Sequence, residues 1–211
     1  MTDVVPQKFR KNSERRTDSN LRIINAAMEL FSEKGYQRTT LIQIGQRAGV
    51  TGTLVSNRFG SKERLLRAVL AHILNRFEKS EARLSKQSEE TSTVSQQLDQ
   101  FVRMYLEDVA EQGARIRALY VIMGEALGAL PEISEEVNRV NGVFRGEIKD
   151  YLKRGVSLEE FNGELDPEIV STLMVGLLRG ISMQILFEPD RLDLAKVIHA
   201  TQNSVRHMTA Q

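Results

Sequence analysis

Cysteine is absent from this 211-residue chain. Its absence excludes disulfides, thiolate nucleophiles, cysteine-type zinc sites and thiol redox sensing. Histidine occurs three times, as His72, His199 and His207. The last two stand eight apart on one helical stretch. No third or fourth ligand accompanies them, so they read as surface or interface groups, and no metal is expected. HExxH, a phosphate loop and a G-x-S-x-G elbow are also missing, which leaves little support for an enzyme, and no cofactor is expected. The N-terminus lacks the apolar core of an export signal. The longest apolar run, near Val175 to Phe187, is interrupted by Arg179 and Gln184 and does not read as a membrane span. A cytoplasmic protein without a membrane partner is expected. Strand-type alternation, sequence repeats and low-complexity tracts are lacking too.

At 41% hydrophobic and 27% charged, the chain has the composition of a globular protein able to bury a core. Its net charge of +1 hides an asymmetry. Residues 1–76 hold 14 Lys and Arg against 6 Asp and Glu, a balance of +8, while the remainder holds 15 against 22, or −7. A basic first third on an acidic remainder suggests a polyanion-binding module joined to a different body.

The basic third contains the most structured signal in the chain, Thr39 to Leu66. Thr40 followed by Gln43 forms a capping box. Leu41, Ile44 and Ala48 fall on one helix face. Gly49 suits the left-handed position that ends a helix. Val50 plugs the joint, Thr51 caps a second helix through Phe59, Gly60 ends it and Ser61 caps a third. Helix, glycine turn, helix is the spacing of a helix-turn-helix, whose second helix enters the DNA major groove.

Ahead of it, residues 1–16 are polar and aperiodic and read as a flexible basic arm. A first helix is expected from Asp18 or Ser19, with Ile24, Ala27, Met28 and Phe31 inward. Behind it, a long helix from Lys62 to at least Phe77 carries Leu65, Leu66, Val69 and Ile73 on one face, and residues 85–95 read as a polar loop. The rest reads as helices over Gln96–Gln112, Arg115–Leu127, Ile133–Val156, Asp166–Phe187 and Leu192–Met208. Asp166 and Pro167 are suited to a helix start. The fold class is all-α: a three-helix head joined to a helical-bundle body.

Residues 17–77 resemble the TetR family of transcriptional regulators. The resemblance rests on Ala26-Ala27, Leu30-Phe31, Glu33, Gly35-Tyr36, Thr39-Thr40, Ile44, Ala48-Gly49-Val50, Phe59, Ser61-Lys62-Glu63 and Leu65-Leu66. It implies a DNA-binding head over 17–77, with the helix-turn-helix at 40–59, and a ligand-binding and dimerisation body over 78–211. It also implies a homodimer on a palindromic double-stranded DNA operator, released as a repressor by an as yet unknown small-molecule effector. The alternative is a ligand-sensing or scaffold protein on the same fold with weak or no DNA reading. One departure bears on this choice. Thr53, Ser56 and Arg58 stand where the family usually has Gly or Ala, Tyr, and His or Tyr, and the last two positions commonly touch phosphate.

The candidate DNA-contacting residues are Thr40, Thr51, Gly52, Thr53, Ser56, Asn57, Arg58 and Lys62. Asn57 can pair bidentately with adenine, and Arg58 with guanine or with phosphate. Gly52 permits close backbone approach. Thr40, Thr51 and Lys62 lie at helix starts, where backbone N–H groups favour phosphate. Arg47 reads as a solvated charge. Phe101, Met104, Tyr105, Tyr120, Met123, Phe144, Met174 and Met183 form a candidate ligand pocket, although such residues fill cores equally well. Charged residues such as Glu125 and Arg179 can meet a polar ligand group or be solvated. Gly176 and Gly180 form a GxxxG in an apolar helix. With Leu194, Ile198 and Val205 on the last helix they make a candidate two-fold dimer interface.

Overall fold

A computed structural model describes residues 7–88, 92–128 and 130–210. The helices are α1 (Gln7–Lys34), α2 (Leu41–Arg47), α3 (Gly52–Phe59), α4 (Lys62–Ser88), α5 (Val94–Glu111), α6 (Gly113–Leu127), α7 (Ser134–Ser157), α8 (Pro167–Phe187) and α9 (Leu194–Thr209). A short 3-10 turn covers Pro131–Ile133, and no strand occurs among the described residues. The chain divides into two compact units.

The first unit comprises the chain up to Leu74 together with Arg117–Ser134. The latter segment is one that the sequence reading assigns to the body. α1 begins at Gln7, well ahead of the caps expected at Asp18 or Ser19. Residues 7–16, expected as an irregular arm, are therefore helical, while residues 1–6 lie outside the described residues. Lys, Arg, Gln and Glu extend an existing helix at little cost, without any apolar periodicity to announce it. The buried face of α1 is Ile23, Ala26, Ala27, Leu30 and Phe31, with Ile24 only half-buried. It is closed by Ile44 of α2, Val55 of α3, and Leu65, Leu66, Val69 and Leu70 of α4. Ala118, Ile122 and Ala126 of α6 and Ile133 are buried in the same unit.

The second unit comprises Asn75–Ile116 and Glu135–Gln211. Thr93 caps α5 in a capping box with Gln96. The Glu160 carboxylate accepts from the Val94 and Ser95 N–H groups, both at 3.0 Å, which places negative charge at the helix N-terminus. α4 reaches Ser88, so the expected 85–95 loop is shorter than read, and residues 89–91 lie outside the described residues. Asp166 caps α8 through the Glu168 and Ile169 N–H groups, with Pro167 in the first turn. α5, α8 and α9 pack on one another. Their shared core holds Leu98, Phe101, Val102 and Leu106, then Met174, Leu178 and Ile185, then Ile198 and Val205. Phe101 lies 5.8 Å from both Phe144 and Tyr151, centroid to centroid, with the ring planes tilted by 34° and 59°.

α8 is long and apolar enough to cross a membrane by length and composition, with a mean hydropathy of 1.7. One stripe of it, Ser171, Met174, Leu178, Ser182 and Ile185, is buried within the second unit. The opposite stripe is exposed: Ile169, Leu173, Gly176, Gly180, Met183 and Phe187.

Candidate nucleic-acid interface

The helix-turn-helix forms where its residue types require it. The Thr40 hydroxyl accepts from the Gln43 N–H, and the Gln43 side chain accepts from the Thr40 N–H, at 3.2 and 3.0 Å. Gly49 carries the turn at φ +68°, a conformation that glycine enters without strain. The Val50 N–H donates back to the Gly45 carbonyl at 2.8 Å. Thr51 then caps α3 by accepting from the Leu54 N–H at 3.1 Å.

The two helices cross at a pair of glycines. A Cβ on Gly45 would lie 2.7 Å from the Gly52 nitrogen, and one on Gly52 would lie 2.9 Å from Ile42 Cα. Neither position has room for a side chain unless the backbone shifts, so Gly52 serves the contact between α2 and α3.

On α3, Val55 is fully buried, while Thr53 and Asn57 are exposed and Ser56 is half-buried. No described group hydrogen-bonds the Asn57 carboxamide or the Thr53 hydroxyl. Both remain available to base edges. Thr40 and Thr51 are exposed beside them.

The two cations among the candidate DNA contacts are engaged inside the head. Arg58 Nη1 donates to the Arg16 carbonyl at 3.0 Å and to Asn20 Oδ1 at 2.7 Å. Lys62 Nζ donates to the carbonyls of Tyr36, Gln37 and Thr39, each at 3.0 Å. The same ammonium sits 4.5 Å from the Tyr36 ring centroid, a cation–π contact. Burial lowers the Lys62 pKa, partly offset by the nearby Glu125 carboxylate. Its three donors hold the turn between α1 and α2.

Glu125, at the end of α6, completes the turn from the other side. Its Oε2 accepts from the Tyr36 N–H at 2.9 Å. Its Oε1 lies 2.6 Å from where a Cβ on Gly35 would be. The sequence left Glu125 either solvated or facing a ligand, because nothing local ties position 125 to position 36. Arg47 is exposed, as expected, and pairs with Glu29 at 3.0 Å and with Glu33 at 2.9 Å on α1. The hydrogen bond to Arg47 lowers the Glu33 pKa, and the two carboxylates raise that of Arg47. These exposed pairs orient α2 on α1 more than they stabilise it. Sequence reasoning also missed Asn20, the partner of Arg58, whose only local signal is a polar residue within α1.

The candidate pocket residues divide between units. Tyr120 and Met123 belong to the first and the other six to the second. Phe101, Phe144 and Met174 are buried, and Met104 and Tyr105 half-buried. Met183 is on the outer face of α8, away from Met174. The Ser182 hydroxyl lies 3.3 Å from the Tyr105 hydroxyl, and Arg179 donates to Asn141 Oδ1 at 2.5 Å. Among the dimer candidates, Gly176 and Gly180 are exposed, and a Cβ added at either would meet nothing within 4 Å. Ile198 and Val205 instead face inward, 2% and 1% exposed, and Leu194 is half-buried. Among the described residues no His, Cys, Asp or Glu cluster is arranged to hold a metal. His199 and His207 are exposed and share Asn203, which donates from Nδ2 to His199 and accepts from His207 at its carbonyl.

Residues 23–69 match the profile of "Bacterial regulatory proteins, tetR family", and residues 94–210 match that of "BetI-type transcriptional repressor, C-terminal". The chain belongs to the TetR family. It is similar to the HTH-type transcriptional regulator CymR of Pseudomonas putida, 25% identical over 205 residues and 97% of each chain. Its fold is similar to that of the fatty acid degradation regulator FadR from Bacillus halodurans, with a TM-score of 0.77 at 21% identity, covering 89% of this chain and 94% of that one. It is also similar to that of FadR from Bacillus subtilis, solved in complex with stearoyl-CoA, with a TM-score of 0.74 at 18% identity, covering 88% and 96%. This TetR-family protein is accordingly a helix-turn-helix transcriptional regulator, and its family is one of regulators, not enzymes. TetR-family regulators bind operator DNA, act as dimers and bind small-molecule effectors.

Proposed function

We propose that this protein is a homodimeric, cytoplasmic repressor that reads a palindromic operator and leaves it when a small molecule binds its second unit. The observation that carries the reading is the outer row of α3. Thr53 and Asn57 present uncommitted donors and acceptors there, on a head that carries +8 over residues 1–76. Bidentate recognition of adenine by Asn57 supplies discrimination, and the capped first turns with the basic surface supply the sequence-independent part.

Dimerisation is supported by the exposed stripe of α8. Ile169, Leu173, Gly176, Gly180, Met183 and Phe187 recur at alternating steps of four and three, the repeat of a helix-pairing seam. The two glycines let a second copy of α8 approach closely. Ile198 and Val205 support α9 from within, and so contribute to this face only indirectly. The effector site is supported by Tyr105, Phe144, Ser182 and Arg179, which put an apolar surface beside polar groups within one unit.

A competing reading, a sensor with little DNA recognition, draws on the engagement of Arg58 and Lys62 within the head. Fluorescence anisotropy against DNA upstream of the protein's own coding region, titrated with salt, separates the two. The repressor reading expects a salt-dependent preference for that DNA over random DNA. Equal, weak binding to both favours the sensor.

A further inference from the structure

We propose that Ile42 is a specificity-determining residue that packs on a thymine 5-methyl group in each operator half-site. The inference rests on the DNA-reading function proposed above. Ile42 is 64% exposed in the first turn of α2, within the basic first third of the chain. A branched apolar side chain placed there loses contact with the core and gains nothing from water.

Its position relative to α3 gives it a role. A Cβ on Gly52 would meet Ile42 Cα at 2.9 Å and Ile42 Cγ1 at 3.0 Å. The first turn of α3 therefore rests directly on Ile42, and Gly52, having no side chain, leaves its methyl groups uncovered. In a helix-turn-helix the N-terminal residues of the second helix contact base edges, so whatever flanks that turn lies at the mouth of the major groove. The polar groups on that surface, Thr40, Thr51, Thr53 and Asn57, serve the hydrogen-bonding edges. The one apolar feature of a base pair in the major groove is the thymine methyl, and apolar side chains recognise it. Isoleucine in a helix holds essentially one χ1 rotamer, so the contact forms with little loss of side-chain freedom.

The test uses the full-length chain and its operator obtained by selection from random DNA. The operator is resynthesised with each thymine replaced in turn by deoxyuridine, which removes only the methyl group. Wild-type protein is expected to lose about four-fold in affinity per half-site at one symmetry-related pair of thymines, as burial of one methyl-sized group predicts. Ile42→Ala, whose unchanged thermal melt shows that it folds, should bind the thymine and deoxyuridine operators equally. Wild-type protein that binds its operator but is indifferent to every exchange overturns the role of Ile42 alone. So does an Ile42→Ala variant that keeps the full loss, or a half-site without thymine. If the wild type selects no sequence, the DNA-reading function falls and this inference falls with it.

Discussion

Replacing Lys62 by methionine distinguishes a structural lysine from a phosphate-binding one. Methionine keeps most of the apolar stem and removes the ammonium. Three carbonyls then lose their donor, those of Tyr36, Gln37 and Thr39. The Gln37 bond is exposed, and water replaces it, whereas the bonds to Tyr36 and Thr39 are part-buried. Hydrogen bonds from a charged donor contribute on the order of 1.5–3 kcal/mol each when well buried, so two part-buried ones, discounted for solvent, amount to about 2 kcal/mol. For a chain of this length that is a fall in Tm of about 4–8 °C by circular dichroism. Hydrogen exchange should locate the loss at the amides of residues 35–44, since the Thr39 N–H itself donates to the Tyr36 carbonyl at 3.2 Å. DNA binding should weaken with the salt slope nearly unchanged. The reasoning is refuted if Lys62→Met leaves Tm and exchange unaltered while reducing the salt slope by about one, because that is the signature of a lost phosphate contact.

The remaining predictions concern three other sites. Asn57→Ala should cost about 1–3 kcal/mol on the preferred operator and little on random DNA; equal loss on both in a competition gel shift counts against base reading. Gly180→Leu should shift the protein towards monomer by light scattering. The isolated chain tolerates it, since nothing lies within 4 Å of the added side chain's first atom, and an unchanged mass removes the α8 stripe from the interface. Glu125→Ala should destabilise the first unit by about 1–2 kcal/mol, because the part-buried Tyr36 N–H loses its charged acceptor. A thermal melt superimposable on wild type contradicts the clamp.

The parts of the fold legible in the sequence are those specified by neighbours in the chain. Thr40 with Gln43, Gly49, Thr51 and Asp166 with Pro167 each satisfy a backbone group within four residues, so a local pattern fixes the structure. The start of α1 was not legible because a polar helix extension has no periodicity to reveal it. Arg58 and Lys62 have partners that were not legible, for a different reason. Their long side chains find carbonyls and an amide 23 to 42 residues away, and position alone does not say in which direction such a chain extends. Both cations are hydrogen-bonded within the first unit, whereas the Asn57 and Thr53 side chains are exposed. In α8, the sequence showed an apolar helix but not which face turns inward. The structure resolves this by burying Met174 and Leu178 and exposing Gly176, Gly180 and Met183.

The most direct measurement is a selection of bound fragments from random double-stranded DNA with the full-length wild-type protein. A two-fold symmetric sequence is predicted, with half-site centres about one helical turn, or a small multiple of it, apart. Recovery of fragments that share no sequence would contradict specific reading by α3, and a single unrepeated half-site would contradict the dimer.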